Sequence, residues 1–247
     1  MEAAPIEMAA KDDRPLVQLN DLKQTFAQPG GGRLTVLDIP SFELGRSQRT
    51  ALIGQSGGGK TTLLHLLAGL IKPDSGTARV DGVELTRLSE QGRDRYRAAT
   101  IGYVFQTFNL LPAFTAEENV RLGMTFGRRT GGRTGDGDAG GRSARDLLAD
   151  VGLADRVTYK PSQLSVGQQQ RVAIARALAG RPKLILADEP TANVDPASAE
   201  AVLELLNDAC DRGGIAMIVV THDMNVAQRF DRTERLEDIN RAYREIR

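Results

Sequence analysis

An α/β fold, with helices covering a largely parallel sheet, is what the sequence predicts. Three observations predict it. Leu184–Ala187 (LILA) and Ile215–Val220 (IAMIVV) are short uninterrupted apolar runs, the pattern of strands buried on both faces. Stretches of helical spacing separate the strand-like runs, so strands and helices alternate along the chain. A further apolar run, Thr50–Ile53, ends at a glycine-rich loop that opens a leucine-striped helix.

The elements follow in order. Leu16–Phe26 (LVQLNDLKQTF) alternates imperfectly and reads as a strand. Gln28–Arg33 (QPGGGR) is a turn, and Leu34–Leu44 supplies one or two more strands. After the Thr50–Ile53 strand, Lys60–Gly69 is a helix, Pro73–Gly76 a turn and Thr77–Val83 a short strand. Glu90–Ala99 reads as a helix, Ile101–Phe105 as a strand and Ala116–Phe126 as a helix. Gly127–Arg142 (GRRTGGRTGDGDAGGR) has no apolar content to bury and reads as a flexible surface insertion. Ser143–Val151 and Ser165–Ala179 are helices. In the latter, Val172, Ile174, Ala175 and Leu178 roughly share one face. Pro196–Cys210 is an amphipathic helix that Gly213–Gly214 breaks.

Composition bounds the function. The chain has 247 residues, 40% hydrophobic and 26% charged, close to the globular average and far from a disordered composition. Lys plus Arg is 32 and Asp plus Glu is 32, so there is no basic excess of the kind that neutralises nucleic-acid phosphates, and no nucleic-acid partner is expected. A single cysteine, Cys210, excludes an intrachain disulfide and reads as a buried or half-buried thiol on a helix. Residues 1–15 read as a disordered polar tail without the charged and apolar regions of a secretory signal. No run approaches the ~18 apolar residues of a membrane helix, so a cytosolic protein is expected.

Two motifs carry the chemistry. Gly54-Gln55-Ser56-Gly57-Gly58-Gly59-Lys60-Thr61 fits the phosphate-binding loop G-x-x-x-x-G-K-[ST] at every fixed position, between a strand and a helix. Glycines let successive N–H groups curl around a phosphate. The following helix, through Thr62, presents free N–H groups and a positive dipole end. Lys60 adds a movable charge for the β and γ phosphates of a nucleotide, and Thr61 a hydroxyl for Mg²⁺. In Leu184-Ile-Leu-Ala-Asp188-Glu189 a buried strand delivers two acids to its C-terminal end. Asp188 would hold Mg²⁺, and Glu189 would orient and polarise an attacking water.

Leu164-Ser165-Val166-Gly167-Gln168-Gln169-Gln170-Arg171, before a helix, resembles the L-S-G-G-Q signature of the ATP-binding cassette (ABC) ATPases. Other family elements fall in order: Gln106 after a strand, Pro190-Thr-Ala-Asn-Val-Asp195, and Thr221-His222-Asp223. The resemblance covers roughly residues 16–236. It implies a P-loop NTPase fold: an ABC ATPase core with an N-terminal antiparallel β subdomain and an inserted α-helical subdomain of about residues 107–165. It also implies ATP and Mg²⁺ as ligands. Ser165, Gly167 and Gln168 would open a helix onto the γ phosphate held by another subunit. Asp195 would lie at the seam of that head-to-tail dimer, a homodimer or a pair with another ABC ATPase. Gln106 would touch Mg²⁺ or the attacking water, His222 would contact the γ phosphate, and Phe26 would stack on adenine. Val166 replaces the first glycine of the signature. Arg235-Leu-Glu-Asp238 resembles the last strand of the family without its usual glycine turn, leaving residues 237–247 as a C-terminal tail.

Ile101-Gly-Tyr-Val-Phe-Gln106-Thr-Phe-Asn-Leu-Leu-Pro112 and Thr115-Ala-Glu-Glu-Asn119-Val120 look like the ATPases of lipoprotein-release, macrolide-export and cell-division systems. That likeness implies an ATPase motor on the inner face of the cell membrane, driving a separate transmembrane permease. Phe108, Leu110, Leu111 and Phe114 would grip the permease. Two alternatives remain open: an ATP-dependent signalling module on a membrane partner without transport, and a soluble ABC ATPase of repair or translation. The second lacks its marks here, since the spacing from Gln106 to Ser165 has no room for a coiled coil and only one cassette is present.

Overall fold

The computed structural model describes residues 14–128 and 142–244. Most of the 1–15 tail and of the Gly127–Arg142 insertion therefore lies outside the described residues. Two sheets organise the chain. In the first, β1 (Val17–Ala27) and β2 (Arg33–Leu44) form an antiparallel hairpin across the predicted glycine turn, and β4 (Ser75–Val80) and β5 (Val83–Glu84) extend it in the order β2-β1-β4-β5. The second sheet has the order β6-β7-β8-β3-β9, with β6 (Ile101–Val104), β7 (Leu184–Asp188), β8 (Ala216–Thr221), β3 (Arg49–Ile53) and β9 (Arg232–Arg235) all parallel.

The apolar runs are explained by the two cores they join. Ile185, Ala187, Met217 and Val219 face one core. Their neighbours Leu184, Leu186, Ala216, Ile218 and Val220 face the other. A strand covered on both sides has no polar face to show, so alternation vanishes from its sequence. The second core is filled by α1 (Lys60–Leu67) and the antiparallel sheet, with Tyr96 of α2 (Glu90–Thr100) added. The first core is filled by α5 (Val166–Leu178), α6 (Pro196–Gly213), α3 (Ala116–Arg128) and α4 (Ala144–Asp150), with Val226 and Ala227 of the short α7 (Met224–Ala227). Ser143 caps α4 with a reciprocal capping box. Gly214, at φ 60°, ends α6.

Two segments differ from expectation. The strand expected over Thr77–Val83 breaks at Asp81-Gly82, whose φ angles of 50° and 77° make the two-residue turn of a β4–β5 hairpin. The last strand ends at Arg235, and Leu236 begins α8 (Leu236–Ile239). The reason is the partner: β9 pairs with β3 from Thr50↔Arg232 to Ile53↔Arg235, after which β3 turns into the glycine loop and the ladder runs out. Leu236 is fully buried, and a 3₁₀ turn over Arg241–Arg244 packs against β2.

Close approach to the C-terminal end of α5 depends on two bare backbones. A Cβ on Gly123 of α3 would lie 2.4 Å from the Arg176 carbonyl oxygen, and one on Gly102 of β6 would lie 2.6 Å from that of Ala177. Gly123→Ala should therefore destabilise the fold by about 1–3 kcal/mol, read as a lowered urea midpoint at unchanged slope. Cys210 is buried in α6, and burial pushes its thiol up to about 12. It should stay silent to a disulfide reagent at pH 8 in the native protein and react stoichiometrically once the chain is unfolded.

Candidate active site

The site is built at the C-terminal ends of β3, β7 and β8, where a parallel sheet directs its loops. The loop after β3 curls because its glycines permit it. Gly57 and Gly59 have φ of 79° and 95°, and the Gly58 N–H donates to the Gln55 carbonyl at 3.2 Å. Gly59 is also boxed in: a Cβ there would lie 2.9 Å from Leu37 Cδ2 and 3.1 Å from the Val36 carbonyl oxygen. Lys60 is 8% exposed, and its Nζ donates to the carbonyls of Gly54 at 2.7 Å and Gln55 at 3.0 Å. An ammonium has three donors, so Lys60 is satisfied by the loop while keeping a donor for an anion in the cleft.

The two acids differ in environment. Asp188 closes β7 and is buried. Burial pushes its carboxyl up, the bonded Thr61 hydroxyl counteracts this, and the Glu189 charge beside it pushes the same way as burial. A Thr61–Asp188 oxygen pair at the base of a phosphate loop suits a hard divalent cation. No group of three or more His, Cys, Asp or Glu side chains able to hold a metal occurs among the described residues. A cation here would depend on hydroxyl, amide, phosphate and water oxygens as well. Glu189 sits in the left-handed region at φ 45°, a conformation that costs a non-glycine residue of order 1 kcal/mol or more and clusters at functional sites. Its backbone N–H donates to the Val220 carbonyl at 2.9 Å, and its Oε1 lies 2.8 Å from Nδ1 of His222.

Ser56, Gly57, Gly59, Lys60, Thr61, Thr62, Gln106, Asp188, Glu189 and His222 thus line one cleft of about 480 Å³. Gly54, Gln55 and Gly58 complete the loop around it. Ser165, Gly167, Gln168 and Asp195 do not line the cleft. Ser165 caps α5 through a capping box with Gln168. Asp195 caps α6, held below the usual carboxylate range by the Ser198 hydroxyl and N–H. The two helix starts adjoin, since a Cβ on Gly167 would lie 3.1 Å from Ser198 Oγ. Val166 takes the first helical position of α5 and is 47% exposed. Phe26 lies near the end of β1, paired with Leu34, and is 43% exposed, outside the cleft lining.

Four residues tie these parts together, Gln170 and Asn193 inside the quoted motifs but given no role by them, Arg176 and Tyr243 outside any motif. Buried Gln170 of α5 donates to the Pro190 carbonyl at 2.8 Å, just after Glu189. Asn193 donates to the Gln106 carbonyl at 2.8 Å. Arg176 donates to the carbonyls of Phe108 at 2.6 Å and Asn109 at 2.5 Å, both residues with positive φ. Tyr243 lies against Gly58 and accepts from the Gln55 N–H at 3.3 Å. A glutamine on the apolar face of α5 and the place of Asn193 in the Pro190–Asp195 motif were the available sequence signals; the Arg176 and Tyr243 contacts are set by chain path.

Comparison with known proteins gives the same direction throughout. Residues 37–192 match the model of the family described as ABC transporter. The lipoprotein-releasing system ATP-binding protein LolD of Nitrobacter winogradskyi is 42% identical over 92% of this chain and 95% of its own length. An uncharacterized ABC transporter ATP-binding protein of Mycobacterium tuberculosis is also 42% identical, over 91% of this chain and 88% of its own. The dimeric, post-hydrolysis structure of the ATP-binding cassette MJ0796 bound to ADP and phosphate superposes with a TM-score of 0.79 at 35% identity, covering 89% of this chain and 93% of that one. This chain belongs to the ABC transporter family, as one of its ATP-binding ATPase components.

Proposed function

We propose that two copies of the cassette close head to tail around two ATP molecules, hydrolyse them and reopen, driving a separate membrane-spanning permease from the inner face of the cell membrane. The observation that carries this reading is the single cleft in which a phosphate loop, two strand-end acids and a histidine face one another. Lys60 would offer its remaining donor to a β or γ phosphate oxygen. Thr61, Asp188 and the Gln106 amide would hold Mg²⁺, which when bound offsets phosphate charge. Glu189 would accept the proton of the attacking water as general base, and His222, already against its carboxylate, would fix that carboxylate and contact the γ phosphate. Phe26 would carry the adenine.

The dimer part of the proposal has its own support. The starts of α5 and α6 adjoin each other outside their own chain's cleft, and the N-terminus of α5 presents free N–H groups that suit an anion. Ser165, Gly167, Gln168 and Asp195 would then serve the nucleotide of the facing subunit. The solved relative MJ0796 is a dimer. For the permease, Leu111 and Phe114 are 44% and 37% exposed beside the Gln106 segment, whereas Leu110 packs on the core. No described helix is long and apolar enough to cross a membrane, so the spanning part would come from another chain, which would also select the cargo.

Glu189→Gln should still bind ATP, hydrolyse it about 10²–10⁴-fold more slowly and accumulate as an ATP-bound dimer. Light scattering with ATP and Mg²⁺ checks this, and a variant that stays monomeric would refute the sandwich. Lys60→Ala should weaken nucleotide binding by roughly tenfold or more. Unchanged binding by fluorescence titration would remove the phosphate-loop assignment.

A further inference from the structure

The residues after β9 run back over the outer face of the phosphate loop. Leu236 is fully buried, 3.4 Å from where a Cβ of Gly54 would lie. Asn240 is 1% exposed, and its side chain is spent on the chain itself. Its Oδ1 accepts from the N–H groups of Asp38 at 2.7 Å and Ala242 at 3.2 Å, and its Nδ2 donates to the Val36 carbonyl at 2.9 Å. That anchor fixes the 3₁₀ turn on β2, and the Tyr243 N–H donates to the Asn240 carbonyl at 3.2 Å. Tyr243 is thereby delivered onto the loop. Its Cε2 would lie 2.7 Å, and its hydroxyl 3.1 Å, from a Cβ on Gly58, so the ring rests on bare glycine backbone. Its Oη accepts from the Gln55 N–H.

Gln55 and Gly58 are the two ends of the turn that the phosphate loop is made of, closed by the Gly58 N–H to Gln55 carbonyl bond. Tyr243 touches both ends. It does so from outside, since it does not line the cleft. Asn240 binds the Val36 carbonyl, and that same carbonyl bounds Gly59 from the other side.

We propose that Tyr243 is a positioning residue for nucleotide binding: through Gln55 and Gly58 the C-terminal segment holds the phosphate loop in its anion-receiving curl before ATP arrives. The inference rests on the reading of the cleft as the ATP site. A loop already curled binds without first being ordered, so loss of Tyr243 acts on affinity rather than on the chemical step.

The test uses the full chain. Tyr243→Ala should raise the Kd for a fluorescent ATP analogue and the KM for ATP by about tenfold, with kcat at saturation within about twofold of the parent. Tyr243→Phe keeps the ring and loses one hydrogen bond. It should shift affinity about two- to threefold and speed amide exchange at the Gln55 N–H in the nucleotide-free protein, with exchange in β7 and β8 unchanged. An unchanged Kd and KM in Tyr243→Ala, or a fall in kcat alone, overturns the proposal. If Tyr243→Ala does not fold, Tyr243→Phe carries the test: unaltered Gln55 exchange and affinity overturn it, and the paired shifts support it. Failure of the parent protein to bind ATP would instead refute the ATP reading of the cleft, while Gln55 exchange would still judge the contact.

Discussion

The Gln55–Lys60 loop is held between two walls, and the geometry of the active site depends on that confinement. On one side Val36 and Leu37 of β2 press on Gly59. On the other Tyr243 presses on Gly58. Neither position has room for a Cβ without displacing a neighbour, so glycine is needed for space at both, and at Gly59 for its φ of 95° as well. Within this frame Lys60 is folded back onto the loop carbonyls, which keeps a buried ammonium hydrogen-bonded, as a buried charge must be. The antiparallel sheet and the C-terminal segment, far apart in sequence, thus both confine the glycine loop.

The parallel sheet supplies the other half. β7 and β8 are neighbours in register, with Asp188 beside Val220, so the acids that end one strand and the histidine that follows the other emerge at the same edge. Glu189 turns through a left-handed conformation immediately after the last ladder residue. Its backbone N–H stays paired with Val220 while its side chain meets His222. Asp188 remains under the loop with Thr61, its carboxyl raised by burial. That single backbone turn directs the two adjacent acids to different partners in the same cleft, Asp188 to Thr61 and Glu189 to His222.

α5 links the remaining pieces. Its capped start adjoins α6, its middle holds Pro190 through Gln170, and its end holds the Phe108–Asn109 backbone through Arg176. Burial lowers the Arg176 guanidinium pKa, and the two carbonyls of the positive-φ residues Phe108 and Asn109 accept from it. One rigid helix therefore touches the segment after Glu189 and the segment after Gln106, and Asn193 closes the loop by binding the Gln106 carbonyl. A displacement at the start of α5 would be felt at both segments, because close-packed helices move as bodies.

Much of this was legible in the residues. The glycine loop, the strand-end acids, the signature and the histidine each need particular side chains at fixed spacing. Local chemistry therefore writes them into the sequence, and the doubly buried strands announce themselves as apolar runs. The Asp81-Gly82 hairpin was legible too, as a two-residue turn signal, but a continuous reading of Thr77–Val83 passes over it. Other features depend on where distant segments meet. The sequence carries no mark that β3 ends opposite Arg235 and so turns Leu236 into a helix. It carries none that Asn240 reaches across to Val36 and Asp38. It carries none that Tyr243, in what reads as a polar tail, lands on Gly58. The sequence by itself determined which reactive side chains the cleft holds, because the motifs that carry them are local in the chain. The tertiary structure decided what holds the site in shape, because those contacts join residues as many as 204 positions apart, and no periodicity or motif spans such a distance.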